Sequence, residues 1–297
     1  MKKIFSLILV GLVVLSGCQK DLKEAEKAVV VTTLFPLYDI TKNVAGDEFE
    51  VINLVPSGAS PHTFELTPGD TKNLYKAKTI FAVGHLDEWV AESLNESDQE
   101  KVVHVDTEIE FLELAYEDDA ENDPHYWLSP KNGKIIANNI ANELIKIDPL
   151  NREIYLANLK KYQSELDKTF TEIDRFLKPL KNRDLVLFHE SYNYLAQDFG
   201  LNVLTVFEPS PGQEPDPEHL KEFYDLIKEK KVRAVFSEVE FSASFINSFV
   251  ADLNKDLPAD QQVEVYVLDP LGGSEYASSY IDMLMYNAKT IYEGLNY

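Results

Sequence analysis

Cys18 is the only cysteine in 297 residues, so no disulfide can form within the chain. Basic side chains are scarce too: 28 Lys and Arg stand against 51 Asp and Glu, a formal net charge of −23. Such a surface repels polyanions and attracts small cations, which argues against nucleic acid as a partner, though most of the charge serves solubility alone. Beyond residue 18 no apolar run is long enough to span a bilayer. Signatures of hydrolysis are missing: His189-Glu190 is followed at the position His-Glu-x-x-His requires by Asn193, and Gly-x-Ser-x-Gly does not occur. No phosphate-binding glycine loop occurs either, so the chain cannot draw on ATP by itself. The expectation is a binding protein, not an enzyme, with a secreted zinc hydrolase or a surface adhesin as the alternatives from other classes.

What is there begins with an export signal. Lys2 and Lys3 precede an apolar stretch from Ile4 to Leu15, too short to cross a bilayer but of signal-peptide length. It runs into Leu15-Ser16-Gly17-Cys18, which resembles the lipobox of bacterial lipoproteins. Residues 1–17 are expected to be cleaved and Cys18 to carry acyl chains. Each methylene buried in the membrane contributes about 0.8 kcal/mol, so two chains anchor firmly. Residues 18–28 then form a polar tether on the extracytoplasmic face.

A hydrophobic share of 44% with 27% charged residues suits a globular body. Within it, β-branched runs alternate with helical patterns, the signature of parallel sheet with crossover helices. Strands are expected over 29–33, 49–54, 79–83 and 102–106, with helices over 36–45, 68–77, 86–94 and 130–147. A second set follows, with strands over 185–188, 203–207, 232–236 and 263–268 and helices over 191–199, 217–230, 243–253 and 278–295. Between the sets, Asp148-Pro149 is a helix start signal. Tyr155, Leu159, Tyr162, Leu166, Phe170, Ile173 and Leu177 then keep to one stripe at spacings of three and four. The fold class is therefore α/β: two lobes (29–147 and 181–297), each a mostly parallel sheet flanked by helices, joined by one long helix (148–180). A single stiff strut predicts limited opening and closing.

In parallel sheets, ligands bind beyond the carboxyl ends of strands. Four metal-binding side chains fall there: His62 beyond the second strand, His125 ahead of a helix, and His189 and Asp269 directly at strand ends. Three imidazoles and a carboxylate suit tetrahedral zinc, with nitrogen at about 2.0–2.1 Å. Manganese leans towards oxygen donors, so the set favours zinc without excluding manganese or iron.

The motifs around these residues, Ser60-Pro61-His62-Thr63-Phe64-Glu65, Asp123-Pro124-His125-Tyr126-Trp127, His189-Glu190-Ser191-Tyr192-Asn193-Tyr194 and Leu268-Asp269-Pro270-Leu271-Gly272, resemble in kind and order the ligand motifs of the zinc/manganese solute-binding proteins of ATP-driven importers. Glu238-Val239-Glu240-Phe241 and the closing Asn287…Gly294-Leu295 resemble that family as well. The resemblance covers residues 29–297. It implies a metal buried between two lobes and held by His62, His125, His189 and Asp269, and delivery of the ion by a monomer to a separate permease and ATPase. Manganese members resemble this pattern with a carboxylate at the third position; His189 there points to zinc. One departure is the loop before His125: zinc members often carry a His-rich segment, whereas Glu113, Glu117, Asp118, Asp119, Glu121 and Asp123 supply only carboxylates here. The remaining expectations are subsidiary. His85 is placed on the rim, His104 packed or at an edge, and His219 in solvent. Glu65, Glu190 and Glu238 are expected to orient imidazoles or to serve as a fallback oxygen ligand. Tyr126 and Trp127 are expected to keep water from His125, and Trp89 to pack.

Overall fold

The computed structural model describes residues 27–115, 122–208 and 216–297. Residues 1–17, Cys18, most of the tether, and Glu117, Asp118, Asp119 and Glu121 lie outside the described residues. The first lobe runs β1 (Ala28–Thr32), α1 (Phe35–Ala45), β2 (Phe49–Asn53), α2 (Pro68–Lys76), β3 (Thr79–Ala82), α3 (Trp89–Glu92), α4 (Glu96–Gln99), β4 (Val102–His104) and α5 (Pro130–Ile147). The long α6 (Arg152–Leu177) leads to β5 (Asp184–His189), α7 (Asn193–Phe199), β6 (Asn202–Glu208), α8 (Pro217–Lys230), β7 (Ala234–Glu238), α9 (Ala243–Lys255), β8 (Glu264–Leu268) and α10 (Tyr280–Leu295).

Every strand pairing is parallel. The sheets have orders β2-β1-β3-β4 and β6-β5-β7-β8, the same topology built twice. In each, the first strand of the lobe is flanked by the second on one side and the third on the other, so the connections diverge there. That divergence opens a crevice at the carboxyl edge, where loops meet without a helix between them.

Two expectations need correcting. The helix over 86–94 shrinks to the single turn α3, because Gly84 and His85 take positive φ (80° and 60°) and Asp87 folds back to accept the Val83 and Gly84 N–H groups. The 148–180 helix starts later than its sequence signal. Pro149–Asn151 forms a 3₁₀ turn, and Asp148 bonds the Asn151 amide and the Tyr155 hydroxyl instead of a backbone N–H. The α-helical part has 26 residues, about 39 Å at 1.5 Å per residue.

That helix is half of a shared core. Tyr155, Leu159, Tyr162, Leu166, Ile173 and Leu177 are buried, and one apolar cluster extends from Val30 and Leu37 through α6 to Leu187 and Ile291. Polar links cross between the lobes as well. Trp127 Nε1 donates to the Pro270 carbonyl (2.7 Å), and the Tyr280 hydroxyl donates to the Trp127 carbonyl (2.5 Å). The Tyr280 N–H donates to Asp39 Oδ2 at 3.1 Å, tying α10 to α1. Burial, partly offset by the Tyr280 N–H and the Tyr162 hydroxyl, raises the Asp39 pKa.

Gly133 shows how tight this seam is. It lies inside α5, where alanine is ordinarily better than glycine by about 1 kcal/mol. A Cβ there would lie 2.6 Å from the Tyr280 hydroxyl oxygen, on a fully buried ring. Gly133→Ala is therefore expected to destabilise the protein by about 1–3 kcal/mol through overpacking, measured as a lower urea midpoint; a rise in midpoint would show that helix propensity wins over the contact.

Candidate metal centre

Three of the four expected donors converge. β2 ends in a loop that closes into a 3₁₀ turn at Pro61–Thr63, which presents His62. His125 precedes a second 3₁₀ turn, Tyr126–Leu128, and His189 is the last residue of β5. One ring nitrogen from each imidazole lies within 4.8 Å of those of the other two. The Nε2 atoms of His62 and His125 are 3.2 Å apart, and the ring centroids are separated by 5.3, 5.0 and 4.8 Å. Two ligands at about 2.0–2.1 Å on a tetrahedral ion stand about 3.3–3.4 Å apart, so this edge already has the length zinc requires. The cavity between the rings is about 10 Å³, room for one occupant of atomic size. Larger hollows beside α6 and between α8 and α9 are lined by exposed charged side chains with no gathered donor set.

The outward nitrogens of two rings are held by carboxylates. His125 Nδ1 lies 2.8 Å from Asp123 Oδ1, which also accepts the His125 N–H, while Asp123 Oδ2 accepts from the Asn193 amide at 3.1 Å. His189 Nδ1 lies 3.2 Å from Glu238 Oε2, and Glu238 Oε1 accepts from the Ser191 hydroxyl. With Nδ1 engaged, Nε2 of each ring is left as the lone-pair donor to the cavity, the arrangement that orients metal-binding imidazoles.

Burial sets the charges. It carries His62 down to about 2, helped by the other two rings, and holds His125 well below the usual imidazole range. Burial also opposes a charge on His189, but Glu238 beside it more than offsets this and raises its pKa. Burial lifts Asp123 to about 7 and Glu240 to about 8. Two rings are thus kept neutral and ready to donate, while on the third the charged form is favoured by Glu238.

Asp269 lies at the end of β8, 1% exposed and outside the group of three. Oδ1 accepts the Leu271 and Gly272 N–H groups (3.2 and 2.7 Å), and Oδ2 accepts the Ser274 hydroxyl at 2.5 Å. Gly272 and Gly273 make this turn possible with φ of 76° and 69°. Asn287 bonds both the N–H and the carbonyl of Asp269, fixing its backbone.

The subsidiary residues divide. Glu238 touches His189, and Trp127 packs 5.3 Å from the His125 ring. Glu190 accepts from the Asn193 amide, which also donates to Asp123, and from the Ala115 N–H. Glu65 is exposed and orients no imidazole, because the 3₁₀ turn carries it outward. His85 and His104 are exposed, and Trp89 packs on Phe64. His219 is not left to solvent: its Nε2 pairs with the Val206 carbonyl, 2.9 Å away. Sequence reasoning missed Asp123 as the partner of His125, although a carboxylate two residues before a candidate ligand was a usable signal. It also missed Glu240 in the cavity lining.

Comparison with known proteins places the chain. Residues 30–294 match the family model described as zinc-uptake complex component A, periplasmic (ZnuA). The manganese ABC transporter substrate-binding lipoprotein PsaA of Streptococcus pneumoniae is 30% identical over 99% of both chains. The high-affinity zinc uptake system protein ZnuA of Bacillus subtilis is 28% identical, over 92% of this chain and 89% of that one. A zinc-bound crystal structure of a ZnuA deletion mutant (138–173) superposes with a TM-score of 0.78 at 29% identity, covering 91% of this chain and 98% of that one.

If the carboxylate behind His125 fixes its donor geometry, Asp123→Asn should weaken zinc binding about 10–100-fold with little change in fold. Competition with a chromophoric chelator measures this, and an unchanged dissociation constant would remove Asp123 from the site.

Proposed function

The chain belongs to the zinc-uptake component A family, and on that premise we propose that it captures a divalent metal ion outside the cytoplasm as the substrate-binding subunit of an ABC-type importer. Zinc is the cargo this reading favours, with manganese as the alternative. The observation that supports it most is the meeting of His62, His125 and His189 around one small cavity. Three nitrogen donors suit zinc, whereas manganese prefers oxygen.

Asp269 completes the proposed set. Its Oδ2 accepts a single hydroxyl bond, which leaves that oxygen a lone pair to offer. With four protein ligands the ion has no open position for a reacting water, so the site stores and releases metal and catalyses nothing. The ion joins His62 and His125 of one lobe to His189 and Asp269 of the other, and binding therefore favours the closed pair of lobes. We propose that a membrane permease recognises that closed shape and that its ATPase partner drives release. Cys18 is the proposed lipid anchor, and no helix among the described residues is long and apolar enough to cross a membrane. A monomer suffices, because one chain supplies every proposed ligand.

Elemental analysis of protein purified without chelator tests the reading. One zinc per chain is expected, lost in His189→Ala. Stoichiometric manganese would keep the transport role and change the cargo, whereas no uptake of either ion would sink the proposal.

Protons compete for the same nitrogens. Since His189 has a raised pKa, the metal must expel its proton at any pH below that value. Affinity is expected to be greatest above the raised pKa and to fall by about tenfold per pH unit beneath it. Isothermal titration at pH 7.5 and pH 5 reads this directly, and equal affinity at both would contradict it.

A further inference from the structure

Glu240 lies two residues past β7 and lines the cavity shared by His62, His125 and His189. Its Oε1 is buried and makes no hydrogen bond. The neighbouring carboxylates are differently placed. Both oxygens of Glu238 are engaged, by His189 and Ser191, and both oxygens of Asp123, by His125 and Asn193. Asp269 is held by its own loop. Among the described residues, Glu240 Oε1 is the one buried carboxylate oxygen without a hydrogen-bond partner.

A buried acceptor without a donor is costly, and native folds keep few of them. Here it stands beside three converging imidazoles, where one cation can meet the oxygen and the ring nitrogens together. Donor chemistry then separates the candidate ions. Zinc is content with four ligands of mixed nitrogen and oxygen type in a tetrahedron. Manganese takes more ligands and favours carboxylate oxygen over imidazole. Three imidazoles with Asp269 meet zinc's needs and leave manganese short of oxygen.

We propose that Glu240 turns its free oxygen onto the captured ion as an additional ligand, and that this donor sets how well the site holds manganese relative to zinc. The proposal rests on reading the imidazole cavity as the metal site. Glu240 is not among the three groups already gathered within 4.8 Å, so it joins by rotating about its own side-chain bonds. Ser60 lies beside the carboxyl to steady its charge. Such a donor explains how a three-histidine site can occur in a chain similar to a manganese lipoprotein and a zinc uptake protein alike.

The full chain, stripped of metal, is titrated with Zn²⁺ and with Mn²⁺ against a chromophoric chelator, as wild type, Glu240→Gln and His189→Ala. Glutamine keeps the shape and removes the charge, and far-UV circular dichroism checks the fold. The expected result is a manganese affinity at least tenfold lower in Glu240→Gln with zinc affinity changed less than threefold, together with an altered electron paramagnetic resonance spectrum of bound Mn²⁺. Equal loss for both ions, or no loss for either, overturns the role of Glu240 while leaving the metal site intact. So does a wild type that binds zinc and not manganese. A wild type that binds neither ion overturns the site itself and this inference with it.

Discussion

Three imidazoles facing one another across about 10 Å³ form an arrangement that a protein interior ordinarily avoids. Protonated rings would repel one another, and neutral rings aim lone pairs into the same small space. The surroundings hold the rings there in spite of that. Asp123 fixes His125, Glu238 fixes His189, and burial keeps His62 and His125 neutral. The rings are thus fixed by the fold itself, and the carboxylates that do it belong to different lobes. Asp123 precedes α5 in the first lobe and Glu238 ends β7 in the second.

The fold makes that convergence possible by repeating one topology. Each lobe diverges at its first strand, so each presents loops at the carboxyl edge of a parallel sheet. Joining two such edges face to face puts short segments on both sides of the imidazole cavity. Of the four proposed ligands, His62 and His125 sit in or beside 3₁₀ turns, and His189 and Asp269 sit at strand ends. Rigid supports of this type hold donor distances better than long loops do.

Much of this was legible in the sequence, for reasons that can be traced to particular residues. The strands announced themselves because parallel strands buried on both faces read as near-continuous apolar runs, as in Leu185–Phe188 and Ala234–Phe236. The stripe along α6 followed from spacing alone. His62, His125 and His189 stood out because strand ends are where sheets of this type bind. What stayed hidden depends on bonds between distant residues. Nothing local shows that Asp87 would fold back on Gly84 and stop a helix, or that His219 would find the Val206 carbonyl. Nor does spacing say which of Glu65, Glu190, Glu238 and Glu240 faces the cavity. Glu65 turns out and Glu238 turns in because of a 3₁₀ turn in one case and a strand terminus in the other. The acidity of the chain was equally uninformative: of 51 acidic residues, Asp123, Glu238 and Glu240 are the described ones that touch the imidazoles or line their cavity.

The seam between the lobes adds a constraint on how metal leaves. Trp127 follows His125 by two residues and donates to the carbonyl of Pro270, the residue after Asp269. Tyr280, in turn, bonds the Trp127 carbonyl and the Asp39 carboxylate. Separating His125 from Asp269 therefore breaks the same bonds that hold the lobes together. Moreover, the continuous core through α6 resists any large rotation about that helix. Opening must then be small and local. Asp269 is no looser than the imidazoles: Leu271, Gly272 and Ser274 hold its carboxylate, Asn287 holds its backbone, and Gly272 and Gly273 pack against Phe35. On the proposed ligand set, release of an ion therefore requires loosening the seam itself, through the bonds by which Trp127 and Tyr280 join the lobes.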